Sequence, residues 1–145
     1  MKVNIKKLDD RAKLPEYGSA FAAGADLYAL LDEALTIEAG QTSFIHTGLA
    51  VELPLGCMGL VYARSGMACK RDLAPANKVG VIDCDYRGEI IVAMHNHGKQ
   101  AQTIEPGERI AQLIIAPYIT VKFEEVQELE DTERGFGGFG STGNK

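Results

Sequence analysis

The sequence predicts an all-β fold, a double-sheet jelly roll or a closed barrel, with one short helix and a flexible glycine-rich C-terminal tail. Two observations point there. Apolar residues come in short runs, and turn-forming residues separate the runs at intervals of about 8 to 12 residues, the spacing of a sandwich or barrel. Either architecture limits the exposed edges that so many strands would otherwise present.

In chain order, the alternation of Val3 and Ile5 with Lys2, Asn4 and Lys6 predicts a strand at 2–7. Further strands are expected at 25–30, at 34–38 before Glu38-Ala39-Gly40, and at 43–53 before Pro54-Leu55-Gly56. A strand at 57–63 leads into a helix at Ser65–Arg71, with Ser65 placed to cap it and Gly66 at its start. The remaining strands are expected at 80–83, 88–95, 101–104, 108–117 and 119–126, broken by Asn96-His97-Gly98 and Pro106-Gly107. From Asp131 the pattern stops, and five glycines fall within residues 134–143. Residues 1–130 therefore read as one β domain, and 131–145 as a tail that cannot order itself.

With 145 residues the chain has room for a single domain and for a core that needs no staple. Fifteen Lys and Arg against 20 Asp and Glu leave a net charge of −5, which argues against non-specific nucleic-acid binding. A phosphate ligand would need positive charge gathered locally. Three cysteines without CxxC spacing suggest neither disulfides nor a Cys-rich zinc site. No apolar run is long enough to span a membrane and the N-terminal residues lack the features of a signal peptide, so a cytoplasmic location is expected.

Several residues do not fit a plain β core. Asp83 and Asp85 lie two apart, so in an extended chain both face one way, which is costly unless a cation or proton is shared. They read either as a solvated hairpin turn or as a carboxylate base beside an aromatic wall, Tyr86. Cooperation between Asp83 and Tyr86 requires a bend near Asp85 or Arg87. Arg64-Ser65-Gly66 ends a strand with a fixed charge and opens a helical turn, an anion-binding arrangement or an ordinary cap beside a surface arginine. Gln112 shares an alternation face with Ile110 and Ile114. Its amide needs partners in the core, or serves to orient a water or a phosphate oxygen. Asp26, between small residues at a strand start, is by itself ordinary turn chemistry. His95 and His97 sit on one strand face without a third ligand at zinc spacing. The glycine tail lacks the Lys of a P-loop, and is either a disordered terminus or a lid that folds on binding.

In order along the chain, AGADLYA, ARSGMA, GVIDCDYRGEI, GERIAQLII and RGFGGFGSTG resemble the five motifs of the trimeric deoxyuridine triphosphatases. The resemblance spans residues 23–143. It implies a jelly-roll subunit of the β-clip type and a homotrimer whose three active sites draw segments from all three chains. It also implies Mg²⁺-dependent conversion of dUTP to dUMP and pyrophosphate, which clears dUTP and supplies dUMP for thymidylate synthesis.

By motif position, the resemblance implies that Asp83 is the general base and that Gln112 helps to orient the attacking water. Arg64, Ser65 and Gly66 would hold the phosphates, while Asp26 would reach Mg²⁺ through water. Asn77, Val81, Ile82 and main chain near Ile91 would line the uracil pocket, and Tyr86 would exclude a 2′-hydroxyl. From a neighbouring chain, Arg134 would meet the γ-phosphate, Phe139 would cover the uracil, and Gly140, Ser141 and Thr142 would lie near the phosphates. Ala63 stands where proline often precedes Arg-Ser-Gly, and Phe136 replaces a small polar residue. The competing readings are a dCTP deaminase of the same fold and a catalytically inactive nucleotide-binding β-sandwich.

Overall fold

The computed structural model describes residues 1–138. Twelve strands and one helix follow in order: β1 Asn4–Lys7, β2 Glu16–Tyr17, β3 Ala25–Tyr28, β4 Leu35–Ile37, β5 Thr42–His46, β6 Leu49–Glu52, β7 Cys57–Ala63, α1 Ser65–Arg71, β8 Leu73–Pro75, β9 Gly80–Ile82, β10 Ile91–Asn96, β11 Gln102–Ile104 and β12 Arg109–Pro117. They form a five-stranded sheet, β2-β3-β12-β7-β9, a three-stranded sheet, β5-β10-β8, and the pairs β1-β6 and β11-β4. All these pairings are antiparallel. The fold is an all-β jelly roll whose sheets pack around one core. Leu27, Val61 and Leu113 meet Ile45, Val92 and Met94 there, together with Ile37, Leu49 and Ile104.

The expected strand at 43–53 is two strands in different sheets. At Gly48 the backbone has a φ of +68°, and a Cβ would stand 2.7 Å from Leu30 Cδ2 and 2.8 Å from Ala12 Cβ. Only glycine fits this corner, where the chain leaves β5 for β6. Periodicity alone cannot register such a change of direction, because the apolar residues continue through it. No strand forms at 119–126, where Ile119 and Phe123 are about nine-tenths exposed, at 88% and 92%. Among the described residues nothing pairs with this segment, so its β-favouring composition has no ladder to join there. The short strands β2 and β8 carry too few residues to show a pattern.

Ser65 does not cap the helix. Arg64 occupies that position in extended conformation, with no side-chain cap bond, and Ser65 is the first helical residue. The helix ends at Asp72 in the left-handed region, φ 55°, with Lys70 and Arg71 in its last turn, where the helix dipole favours cations. Arg71 reaches from α1 to Glu108 and to the Thr103 carbonyl, tying the helix to β11 and to the turn before β12. At the C-terminal end, Gly135 N–H donates to the Thr132 carbonyl and Gly137 N–H to that of Arg134.

Candidate active site

The first group of candidate residues meets in a cleft. β9 ends at Ile82, and the chain turns through Cys84 and Asp85 so that Tyr86 N–H donates to the Asp83 carbonyl at 3.1 Å. Asn77, Val81, Ile82, Asp83, Tyr86 and Ile91 all line the resulting cavity of about 240 Å³, with Val61, Ile90 and Val92 as apolar lining. The turn supplies the bend that Asp83 and Tyr86 need. It also separates the two carboxylates, because Asp85 faces a different hollow beside Lys2, Glu52 and Arg87. The expectation of a carboxylate pair on one face held only for an extended chain.

Tyr86 lies against Gly88 so closely that a Cβ there would stand 2.3 Å from its Oη. The hydroxyl donates to the Glu89 carbonyl at 3.0 Å. Glu89 itself lines the cleft, and its carboxylate meets His46 Nδ1 at 2.8 Å and accepts Gly48 N–H at 2.7 Å.

The second group occupies the outer side of the five-stranded sheet. Gln112 pairs with Asp26 on β3 and with Tyr62 on β7. Asp26, its side chain only 13% exposed, accepts Arg64 Nε at 2.7 Å on one oxygen and Arg109 Nη1 at 3.2 Å on the other. It is thus an ion-paired strand residue and not turn chemistry. Gln112 Nε2 donates to the Ala63 carbonyl at 2.9 Å. Its Oε1 lies over Gly24, where a Cβ would approach to 2.4 Å.

A bulge sets this arrangement. The β3–β12 register slips between Arg109 and Ala111, and Ile110 and Ala111 are both buried in succession. Ile110 therefore does not share the Gln112 face as strict alternation requires. The extra residue turns Arg109 outward to Asp26, an effect typical of bulges.

None of Asp26, Arg64, Ser65, Gly66 or Gln112 lines the cleft. The cleft reaches β7 on the side of Val61, and the arginine cluster lies on the side of Tyr62, so one chain keeps the two groups apart. Arg134 does not line the cleft, and its Nε donates to the Gly137 carbonyl at 2.9 Å. Phe139, Gly140, Ser141 and Thr142 lie outside the described residues.

Among the described residues no three His, Cys, Asp or Glu side chains come together as a metal-ligand set. His95 and His97 meet edge to face, with ring centres 4.4 Å apart. Cys57, Cys69 and Cys84 form no disulfide.

Alternation could not reveal Arg109, and Glu89, His46 and Gly24 carried no signal beyond their place in or near the motifs. A cavity that offers an amide, main-chain groups, a carboxylate and an aromatic wall suits a nucleoside, and a carboxylate between two guanidiniums suits a phosphate chain. The class defined is an all-β nucleotide-processing protein.

Comparison with known proteins narrows the class. A family model described as dUTPase matches residues 10–143, and the chain belongs to the dUTPase family. The deoxyuridine 5'-triphosphate nucleotidohydrolase of Desulfitobacterium hafniense is 51% identical over 144 residues, covering 99% of this chain and 95% of its own. That of Acinetobacter baumannii is 45% identical over 150 residues, covering all of both. Among solved structures, the Staphylococcus bacteriophage 80alpha dUTPase with dUpNHpp superposes with a TM-score of 0.88 at 30% identity, over 98% of each chain. The dUTPase from phage phi11 of S. aureus does so with a TM-score of 0.81 at 25% identity, over 91% of this chain and 100% of its own.

Proposed function

We propose that the chain hydrolyses dUTP to dUMP and pyrophosphate, the cleft taking deoxyuridine and the Asp26–Arg64–Gln112 cluster taking phosphates. The observation that carries this is the cleft shared by Asn77, Asp83 and Tyr86 in a chain of this family. Asp83 is the general base that takes a proton from the attacking water, and Gln112 orients that water. Asn77 and main chain at Val81, Ile82 and Ile91 read the uracil edge, while Tyr86 packs against the sugar and leaves no room for a 2′-hydroxyl. Such a site rejects cytosine, whose exocyclic amine mismatches the main-chain partners.

A carboxylate base can approach a triphosphate only where positive charge offsets both. Arg64 and Arg109 supply part of that charge, with Ser65 and Gly66 donating hydrogen bonds. Asp26 suits Mg²⁺ held through water and not directly, because each of its oxygens already accepts from an arginine yet keeps lone pairs for solvent. Magnesium usually keeps several waters, and when bound it would sit mainly with the substrate phosphates and supply charge neutralisation there. That the described residues gather no chelating set of side chains is consistent with that mode.

The working unit is a homotrimer. Two facts support it: the cleft and the arginine cluster stay apart within one chain, and Ile119, Phe123 and Leu129 are exposed apolar residues on a segment that has no strand partner among the described residues. Residues 1–130 form the β domain and 131–145 the lid, with Arg134 on the γ-phosphate, Phe139 over the base and Gly140, Ser141 and Thr142 beside the phosphates. Stacking of one aromatic is worth about 1–3 kcal/mol, enough to make closure depend on nucleotide. No helix among the described residues is long and apolar enough to cross a membrane, and a cytoplasmic enzyme of the nucleotide pool fits this reading.

The test is pyrophosphate release from dUTP, dCTP, dTTP and UTP, with Mg²⁺ and with chelator. Release from dUTP alone, and only with metal, is expected. Ammonia from dCTP would identify a deaminase, and no turnover of any nucleotide would reduce the chain to a binding module.

A further inference from the structure

Tyr86 is only half buried, at 45% exposure, and its place beside the cleft is fixed from behind. Gly88 lets the ring lie down, since any Cβ would collide with Oη, Cζ and Cε2 at 2.3, 2.5 and 2.9 Å. The ring is then pinned at its far end by the bond from Oη to the Glu89 carbonyl. The position of that carbonyl depends on what holds residues 89 and 90.

They are held by the corner between β5 and β6. Glu89 Oε2 meets His46 Nδ1 at 2.8 Å, and Oε1 accepts Gly48 N–H at 2.7 Å. Thr47 Oγ1 donates to the Ile90 carbonyl at 2.6 Å, and Ile90 N–H donates to that of Leu49 at 2.7 Å. Four bonds thus join four consecutive corner residues to two consecutive residues behind the tyrosine. Three of the four need nothing of the side chain at 46. His46, opposite Ile91 in the β5–β10 register, is the one surface side chain that completes the bracket.

We infer that Glu89, clamped by His46 and the Gly48 N–H, is a positioning residue that sets the placement of Tyr86 and through it the discrimination between deoxyribose and ribose. It rests on the proposed hydrolysis of dUTP. Neither Glu89 nor His46 needs to touch the nucleotide. The clamp works because a carboxylate with both oxygens engaged cannot rotate without breaking a charge-assisted bond, and its own main-chain carbonyl is the acceptor for Tyr86. Asp9, Arg11 and Asp32 share the shallow hollow that His46 and Glu89 line, and Asp83 and Tyr86 line the cleft together with Glu89. Arg11 is engaged by both Asp9 and Asp32, so it does not compete for Glu89.

The experiment measures kcat/KM for dUTP and for UTP in the full chain, in Glu89→Ala, Glu89→Gln and His46→Ala. Loss of folded protein lowers both rates together and leaves their ratio unchanged, so the ratio reads position and not stability. Glu89→Ala is expected to reduce the dUTP preference about tenfold, with a raised KM for dUTP. His46→Ala, on a half-exposed side chain that does not threaten folding, is expected to reduce it about threefold. Glu89→Gln keeps an oxygen for Gly48 and an amide for the neutral ring, and is expected to restore most of the preference. A wild-type chain that prefers dUTP, with an unchanged ratio in Glu89→Ala and His46→Ala, overturns the inference alone. A wild-type chain inert towards dUTP overturns the function and the inference together.

Discussion

Alanine at Gly24 is the smallest change that reaches Gln112. A Cβ there would stand 2.4 Å from Oε1 and 3.1 Å from Cδ of that side chain. The amide must swing away, and Nε2 then loses its 2.9 Å bond to the Ala63 carbonyl. Gly24 is not among the residues of positive φ, so the backbone itself accepts alanine. The lost bond costs about 0.5–1.5 kcal/mol, and a stiffer unfolded chain returns about 0.4–1 kcal/mol. Stability therefore changes by less than about 1 kcal/mol, and Tm falls by no more than roughly 4 °C at this size. Turnover is far more sensitive, because displacing an orienting group by about 1 Å costs on the order of 100-fold. Steady-state pyrophosphate release, run beside a urea melt, separates the two effects. Placing Gly24→Ala in a Gln112→Ala background closes a cycle. Wild-type kcat in Gly24→Ala, or losses that simply add in the double variant, would refute the link between this glycine and the water-orienting amide.

Other substitutions probe the remaining parts. Asp83→Asn is expected to abolish turnover while dUTP binding, followed by calorimetry, stays within a few-fold, and turnover at the wild-type rate would remove the general-base role. Deleting 134–145 is expected to leave thermal unfolding almost unchanged but to lower kcat/KM severely, whereas full activity would reject a lid. Burial pushes the Glu89 carboxyl up, but hydrogen bonds from His46 and Gly48 outweigh it and hold its pKa below the ordinary 4.5. A carboxyl depressed in the folded state stabilises fully above its unfolded value, and that contribution is lost as pH falls through the lower folded value. Urea midpoints of the wild-type chain should thus fall on acidification below about pH 4.5 more steeply than those of Glu89→Gln; parallel curves would mean that the carboxylate adds nothing.

The legible parts of the fold were those where pattern and partner coincide. β7 alternates from Cys57 to Val61 because one face meets the core and the other does not, and the turn before it carries proline and glycine. Reading failed where one residue changed the geometry. Gly48 broke a run that looked continuous, the bulge at Ile110 reversed the facing of Arg109, and Cys84 and Asp85 turned a supposed carboxylate pair apart. Each depends on a backbone choice that composition does not encode. The segment 119–126 failed for the opposite reason, since it has strand chemistry but no strand partner among the described residues. The candidate site was legible as motifs, and its halves emerged where the turn at Asp83 and the β3–β12 register put them. Glu89 and His46 stayed hidden because a contact between residues 43 positions apart leaves no mark in a local pattern.

The Asp26 cluster has a further bearing on how fast an anion arrives. Two guanidiniums outnumber the carboxylate they hold, although Glu16 lies opposite Asp26 on the next strand, and the chain's total is −5. The attraction acts over a few ångströms, whereas the repulsion acts over the whole approach. Salt shortens the reach of electrostatics to about 10 Å at 0.1 M, which removes more of the distant repulsion than of the contact attraction. Encounter with a polyanion is therefore helped by moderate ionic strength, the reverse of the behaviour of a protein steered by a broad basic surface.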